Sequence, residues 1–207
     1  MQVLCGRALL RSIVIRCYIT DSQSAGSVEP LLHWVAQAIA DGVEWIQLRE
    51  KQMATSDLVR LTKQVMALAK PVGTKVIVNS RVDVALACGA HGVHLPSDSM
   101  PVQRVRQIAT EPFLIGVSTH SLEEALRAEQ EGASYVFFSP VFTSVSKPGY
   151  GPEKGSLAGL QALQRVCKEV RIPVLALGGV DEGNALQCKQ AGAAGIAAIS
   201  MFQQERR

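Results

Sequence analysis

The sequence predicts an α/β chain folded as a single (β/α)8 (TIM) barrel. Three observations point there. Short β-rich runs alternate with amphipathic helical segments eight times over, and parallel strands need such crossover connections between them. A small-residue phrase recurs ahead of later strands, in CGAHGVHL, EGASYVFF and AGAAGIAA, where a helix ends on glycine and a strand begins. No GxGxxG follows the first strand, which disfavours the open doubly wound sheet, the other architecture built from repeated βα units. At 207 residues the chain is shorter than the ~250 residues typical of such barrels, so its loops must be tight.

The elements are expected in this order. A strand over Ile13–Thr20 leads to a helix over Leu31–Ala40, and a strand over Val43–Leu48 to a helix from Ser56 to Ala69. Lys75–Val78 leads to the helix Val82–Cys88, and Gly92–Leu95 to a helix over Pro101–Ala109. Phe113–Ser118 leads to a helix over Ser121–Glu131, and Tyr135–Ser139 to a long Gly-rich loop and a helix over Leu157–Cys167. Pro173–Leu177 leads to a helix over Asp181–Ala191, and Gly195–Ser200 closes the series. Ser56 and Ser121 are the expected capping serines, and Ser121 with Glu124 forms a capping box.

The totals narrow the function. Hydrophobic residues are 47% and charged residues 19%, an ordinary globular composition for one domain with a full core. A net charge of +3 suits a small anionic substrate. With no basic run interleaved with aromatics, nucleic acid is not an expected partner. No apolar run approaches the roughly 20 residues of a membrane span, and Arg7 and Arg11 interrupt any signal-like segment. The five cysteines are scattered and never paired as CxxC, which points to free thiols in a reducing, cytoplasmic compartment. Residues 1–12 read as a leader or an early start, and 13–207 as the barrel.

In such barrels the active site lies at the C-terminal ends of the strands. The second strand ends in Gln47, Leu48, Arg49, Glu50 and Lys51. Alternation sends Gln47, Arg49 and Lys51 to one side, an amide and two cations suited to a di- or triphosphate. Asn79 and Ser80 end the third strand. His94 ends the fourth and reads as a packed, hydrogen-bonded histidine. Ser118 and His120 end the fifth, where a histidine can exchange a proton near neutral pH. The loop after the sixth strand, with Ser144, Ser146 and Lys147 among glycines and prolines, reads as a lid able to close over phosphate. The seventh and eighth strands end in Gly178-Gly179 and Ile199-Ser200. Loops there form the usual phosphate pocket of this fold, from backbone N–H groups and a helix N-terminus.

Taken together, these motifs resemble one family: thiamin phosphate synthase and its relative, the thiazole tautomerase TenI. The likeness runs from about Cys17 to Phe202 and rests on YITD, IQLREK, VIVNSRVDVALACGAHGVHLPS, IGVSTHSLEEA, SPVFTSVSKPG, LALGGV and AGIAAIS. The synthase joins a hydroxymethylpyrimidine diphosphate to a thiazole phosphate and releases diphosphate. The resemblance implies that Gln47, Arg49, Lys51 and Asn79 contact the pyrimidine and diphosphate and that Ser118 lies beside the pyrimidine. It makes Ser144, Ser146 and Lys147 a variant of a Thr-x-Thr-Lys lid. It places Gly179, Ile199 and Ser200, next to Gly178, in the thiazole phosphate pocket.

The chain departs from the synthase pattern at the metal. The family's two magnesium aspartates fall on Ser80 and Ser99 here, and Asp98 stands one position early. Serine is a poor replacement for carboxylate on a hard cation. The Leu-Pro-Ser-x-Ser wording resembles TenI, whose catalytic histidine matches His120. The sequence alone therefore leans to a metal-independent thiazole tautomerase with His120 as acid/base and no cofactor. The synthase, with Mg2+, is the alternative. A non-catalytic sensor of thiazole or thiamin phosphate is a third reading, disfavoured by the retention of His120 and Lys147. The expected partners are a small thiazole phosphate and, for the synthase, a pyrimidine diphosphate; a homo-oligomer is left open.

Overall fold

The computed structural model describes residues 15–143, 151–152 and 156–203. Eight parallel strands close into a barrel: β1 (Ile15–Ile19), β2 (Trp45–Leu48), β3 (Lys75–Asn79), β4 (Gly92–Leu95), β5 (Leu114–Thr119), β6 (Tyr135–Phe138), β7 (Val174–Ala176) and β8 (Gly195–Ala198). Each pairs with its neighbours in sequence, and β8 returns to β1 with Ile15 opposite Gly195 and Cys17 opposite Ala197. The helices are α1 (Ser22–Ala25), α2 (Val28–Ala40), α3 (Thr55–Ala69), α4 (Val82–Ala87), α5 (Val102–Arg106), α6 (Leu122–Gln130), α7 (Ala158–Glu169) and α8 (Ala185–Gln190). The expected barrel is therefore present.

Strand alternation divides the core in two. Cys17, Ile19, Trp45, Ile77, Tyr135, Phe137, Leu175 and Ala197 fill the barrel interior. The residues between them, such as Ile46, Leu48, Val76, Val78, Val93 and Val136, point outward and pack against the helices. Because both faces are buried, the strands read as near-continuous apolar runs, as parallel strands should. Interior glycines make room for the large rings. A Cβ on Gly116 would lie 2.0 Å from Cζ of Tyr135.

The helix boundaries show where local chemistry overrode pattern. Ser121 caps α6 as expected, its Oγ accepting from Glu124 N at 3.1 Å. The Glu124 carboxylate reaches one residue further back than a standard capping box, to His120 N at 2.7 Å. Ser56 is not a cap. The amides of Asp57 and Leu58 both donate to Ala54 O, which closes the first turn of α3 earlier. Residues 181–184 form a turn and not the start of a helix, because Asp181 Oδ1 accepts from Gly183 N and Asn184 N. Residues 107–109 fall outside α5. The recurring glycine joints are real: Gly89, Gly132 and Gly192 have φ of 65°, 92° and 97°, the left-handed conformation that ends helices. The leader over 1–12 lies outside the described residues. Cys17, Cys88, Cys167 and Cys188 are free thiols.

Candidate active site

Four adjacent strands carry polar side chains into the barrel at its C-terminal end. Gln47 on β2 shares the inward parity of Trp45, and Asn79 on β3 that of Ile77. Gln47 is buried, and its Nε2 donates to Asn79 Oδ1 at 2.9 Å. Among the described residues its Oε1 is buried without a hydrogen-bond partner, and a buried acceptor left so is costly. Asn79 Nδ2 in turn donates to Ser80 Oγ at 2.8 Å.

On β4 and β5 a second pair continues this wall. His94 is 1% exposed. Its Nε2 lies 2.9 Å from Ser118 Oγ and its Nδ1 3.2 Å from Tyr135 Oη. Its ring sits 4.1 Å from that of Phe137. Burial, with the nearby positive charge of Arg49 adding to it, pushes the His94 pKa down to about 3. His94 is therefore a neutral imidazole with one N–H to give. The expectation that it is packed and hydrogen-bonded holds, but its partner is a candidate substrate-binding serine. Tyr135 was missed, and the inward parity of β6 was the signal that could have found it.

The cations do not continue the alternation of β2, which ends at Leu48. Arg49 and Lys51 instead line a cavity of about 310 Å³ between the ends of β1 and β2, together with Asp21, Ser22 and Glu50. Gln47 faces the barrel interior below. Glu50 ties the two loops. Thr20 Oγ1 donates to its Oε1 at 2.5 Å, and Ser22 N to its Oε2 at 3.0 Å.

His120 stands exposed at the end of β5. Its Nδ1 is 2.8 Å from the carbonyl oxygen of Ser139; a carbonyl only accepts, so Nδ1 carries a proton. The residue lines a cavity between α6 and α7 with Leu122, Phe138, Gln161 and Arg165, in the helix layer, whereas His94 and Ser118 face the barrel interior.

Gly178 and Gly179 have φ of 93° and 64°. A Cβ on Gly179 would lie 2.4 Å from Thr143 O, and one on Gly178 2.9 Å from Pro140 Cα. Glycine is thus required here by the β6 loop as well as by any anion. Ile199 packs on the interior cluster and Ser200 is exposed in the turn that follows β8. The expected helix N-terminus is taken up by Asp181 at the start of α8, and Ser200 leads into a turn. Ser144, Ser146 and Lys147 lie outside the described residues.

The positions expected to hold magnesium do not fit it. Ser80 Oγ is engaged by Asn79, and Ser97, Asp98 and Ser99 lie on an exposed turn. Among the described residues no three His, Cys, Asp or Glu side chains could hold a metal ion together.

A family model described as thiamine monophosphate synthase matches residues 16–202. The chain belongs to the thiamine monophosphate synthase family. It is 42% identical over 183 residues to the thiamine-phosphate synthase of Methanocella arvoryzae, covering 88% of this chain and 84% of that one. It is 40% identical over 182 residues to the thiamine-phosphate synthase of a Roseiflexus species, covering 88% and 75%. In structure it resembles the thiamine phosphate pyrophosphorylase of Pyrococcus furiosus, with a TM-score of 0.81 at 34% identity over 95% of this chain and 91% of that one. Membership of the thiamine monophosphate synthase family also accounts for the match of all eight strands to one barrel.

Proposed function

We propose that this chain is a transferase of thiamin biosynthesis, joining a hydroxymethylpyrimidine diphosphate to a thiazole phosphate with release of diphosphate. The observation that carries the reading is the paired wall of Gln47–Asn79 and His94–Ser118 on four adjacent strands, with Arg49 close enough to His94 to depress its pKa. Such a wall offers hydrogen bonds to the edge of a flat heteroaromatic ring and a cation above it for the attached anion. Gln47 Oε1 is an acceptor suited to an exocyclic amine. Arg49, Lys51 and Lys147 take the charge of the diphosphate, and Gly178, Gly179, Ile199 and Ser200 the thiazole phosphate.

The relatives support this choice over the tautomerase toward which the sequence alone leans: those at 40% and 42% identity are named for the synthase. No step is assigned to magnesium, because Ser80 and Ser99 do not supply carboxylates. That same observation favours the second reading, a thiazole tautomerase with His120 as acid/base.

The test mixes the protein with hydroxymethylpyrimidine diphosphate and thiazole carboxylate phosphate, with magnesium or with EDTA, and follows thiamin phosphate and diphosphate. Coupling supports the transferase, and its response to EDTA tells whether a metal is recruited. Proton exchange on the thiazole without coupling would replace it with the tautomerase.

A further inference from the structure

We infer that Tyr135, His94 and Ser118 form a buried hydrogen-bonded relay that fixes Ser118 as a hydrogen-bond donor toward the substrate, with His94 and Tyr135 as positioning residues. The inference deepens the reading above and rests on it for the identity of the substrate, but the relay's own polarity follows from the geometry.

The direction of each bond is determined from the bottom of the barrel upward. Tyr135 is fully buried between Trp45, Phe137 and His94, with ring centroids 4.7, 5.5 and 5.6 Å away. Burial drives its phenol pKa well above the ordinary value, so the hydroxyl keeps its proton. Among the described residues its one hydrogen-bond partner is His94 Nδ1. The phenol must therefore donate to Nδ1, since the reverse arrangement would leave a buried O–H with no acceptor. A neutral imidazole with an accepting Nδ1 carries its proton on Nε2. Nε2–H then donates to Ser118 Oγ at 2.9 Å. That fills one lone pair of the serine and frees the serine proton for another acceptor.

The consequence is a specificity element. The relay sets a donor at the β5 end of the wall, whose β2 end holds the unpaired acceptor Gln47 Oε1. A fixed donor at Ser118 complements an accepting ring nitrogen of a heteroaromatic substrate. It mismatches the oxo analogue, whose ring nitrogen carries a proton and donates. Gly116 is part of the device, because any larger residue would strike the Tyr135 ring.

The test has two arms. In the first, long-range 1H–15N spectra of protein labelled at its four histidines, assigned with His94→Gln, report the tautomer near neutral pH. The expected result is a bare Nδ1 and a protonated Nε2 at His94, with loss of that single tautomer in Tyr135→Phe. A protonated Nδ1, or a charged ring, would overturn the relay whatever the enzyme's activity. In the second, coupling is measured with the amino-pyrimidine diphosphate and its oxo analogue. His94→Leu is expected to lower kcat/KM about 100-fold for the amino substrate and to narrow the preference between the two. His94→Gln, which can still accept from Tyr135 and donate to Ser118, is expected to stay within about tenfold of the parent. Equal losses in Gln and Leu variants that retain the parent's melting temperature would overturn it. Absence of coupling in the parent protein would sink the functional reading and leave the first arm to decide the relay.

Discussion

The hydroxyl of Thr20 sits between Arg49 and Glu50: it accepts from Arg49 N at 3.0 Å and donates to Glu50 Oε1 at 2.5 Å. Thr20 is fully buried, and Glu50 also takes the amide of Ser22. The end of β1 is thereby clasped to the end of β2, which sets the backbone from which Arg49 and Lys51 rise.

Thr20→Val keeps the shape and removes the clasp. It leaves the part-buried Arg49 amide without its Thr20 acceptor, at a cost of up to about 1–3 kcal/mol. Urea unfolding is expected to show that loss with an unchanged m-value. The same variant is expected to raise the KM for the pyrimidine diphosphate more than it lowers kcat, because Arg49 is misplaced for binding. An unchanged KM would mean that the clasp serves the fold alone.

Gly116→Ala is expected to be among the more damaging small changes. The added methyl would lie 2.0 Å from the Tyr135 ring, which has Trp45 and Phe137 on its other sides. Overpacking of this kind costs about 1–3 kcal/mol. Thermal unfolding checks it, and tyrosine near-ultraviolet dichroism should change with it. Gly132→Ala has open space around its Cβ but a φ of 92°. It is expected to cost about 1 kcal/mol through backbone strain alone.

The barrel was legible because it is written in period: apolar runs of strand length, helix faces, and glycine joints at Gly89, Gly132 and Gly192. Gln47, Asn79 and Ser118 were legible because alternation from apolar neighbours gives their parity. Arg49 and Lys51 were placed on the same side by carrying that parity past Leu48, where the strand ends and the rule lapses. The Tyr135–His94–Ser118 contact joins three strands, and no local pattern encodes a contact 41 residues apart. The clasp of Glu50 by Thr20 is likewise long-range, joining residues 30 apart. The loss of both carboxylates is legible in the sequence, as serine at 80 and 99, whereas the Asn79 amide that donates to Ser80 Oγ is seen only in the fold.

His94 gives the acid limb of stability a definite sign. Its ordinary pKa of 6.5 falls to about 3 in the folded protein. Below pH 6.5 the unfolded chain takes up a proton at this ring that the folded chain does not. Its contribution is therefore fully present above pH 6.5 and is lost as pH falls toward 3, at up to about 1.4 kcal/mol per pH unit. In His94→Gln the slope of unfolding free energy against pH over that window should fall by up to this amount. An unchanged slope would mean that His94 is charged in the fold, against its burial beside Phe137.

Restoring the carboxylates tests the metal argument directly. Ser80 has a φ of 62°, a left-handed conformation that aspartate and asparagine accept more readily than most residues. Ser80→Asp should therefore fold without added strain, and Ser99→Asp lies on an exposed turn. The parent's melting temperature is expected to stay constant as magnesium is added. That of the doubly substituted protein is expected to rise, reaching about 2.7 kcal/mol of added stability when magnesium is at a hundred times its dissociation constant. Two added carboxylates at the ends of the neighbouring strands β3 and β4 should repel without the metal, so the double variant is expected to be the less stable of the two in EDTA. A magnesium-dependent rise already present in the parent would show that Asp98 or another oxygen donor completes the site, and the serines would then no longer argue for the tautomerase.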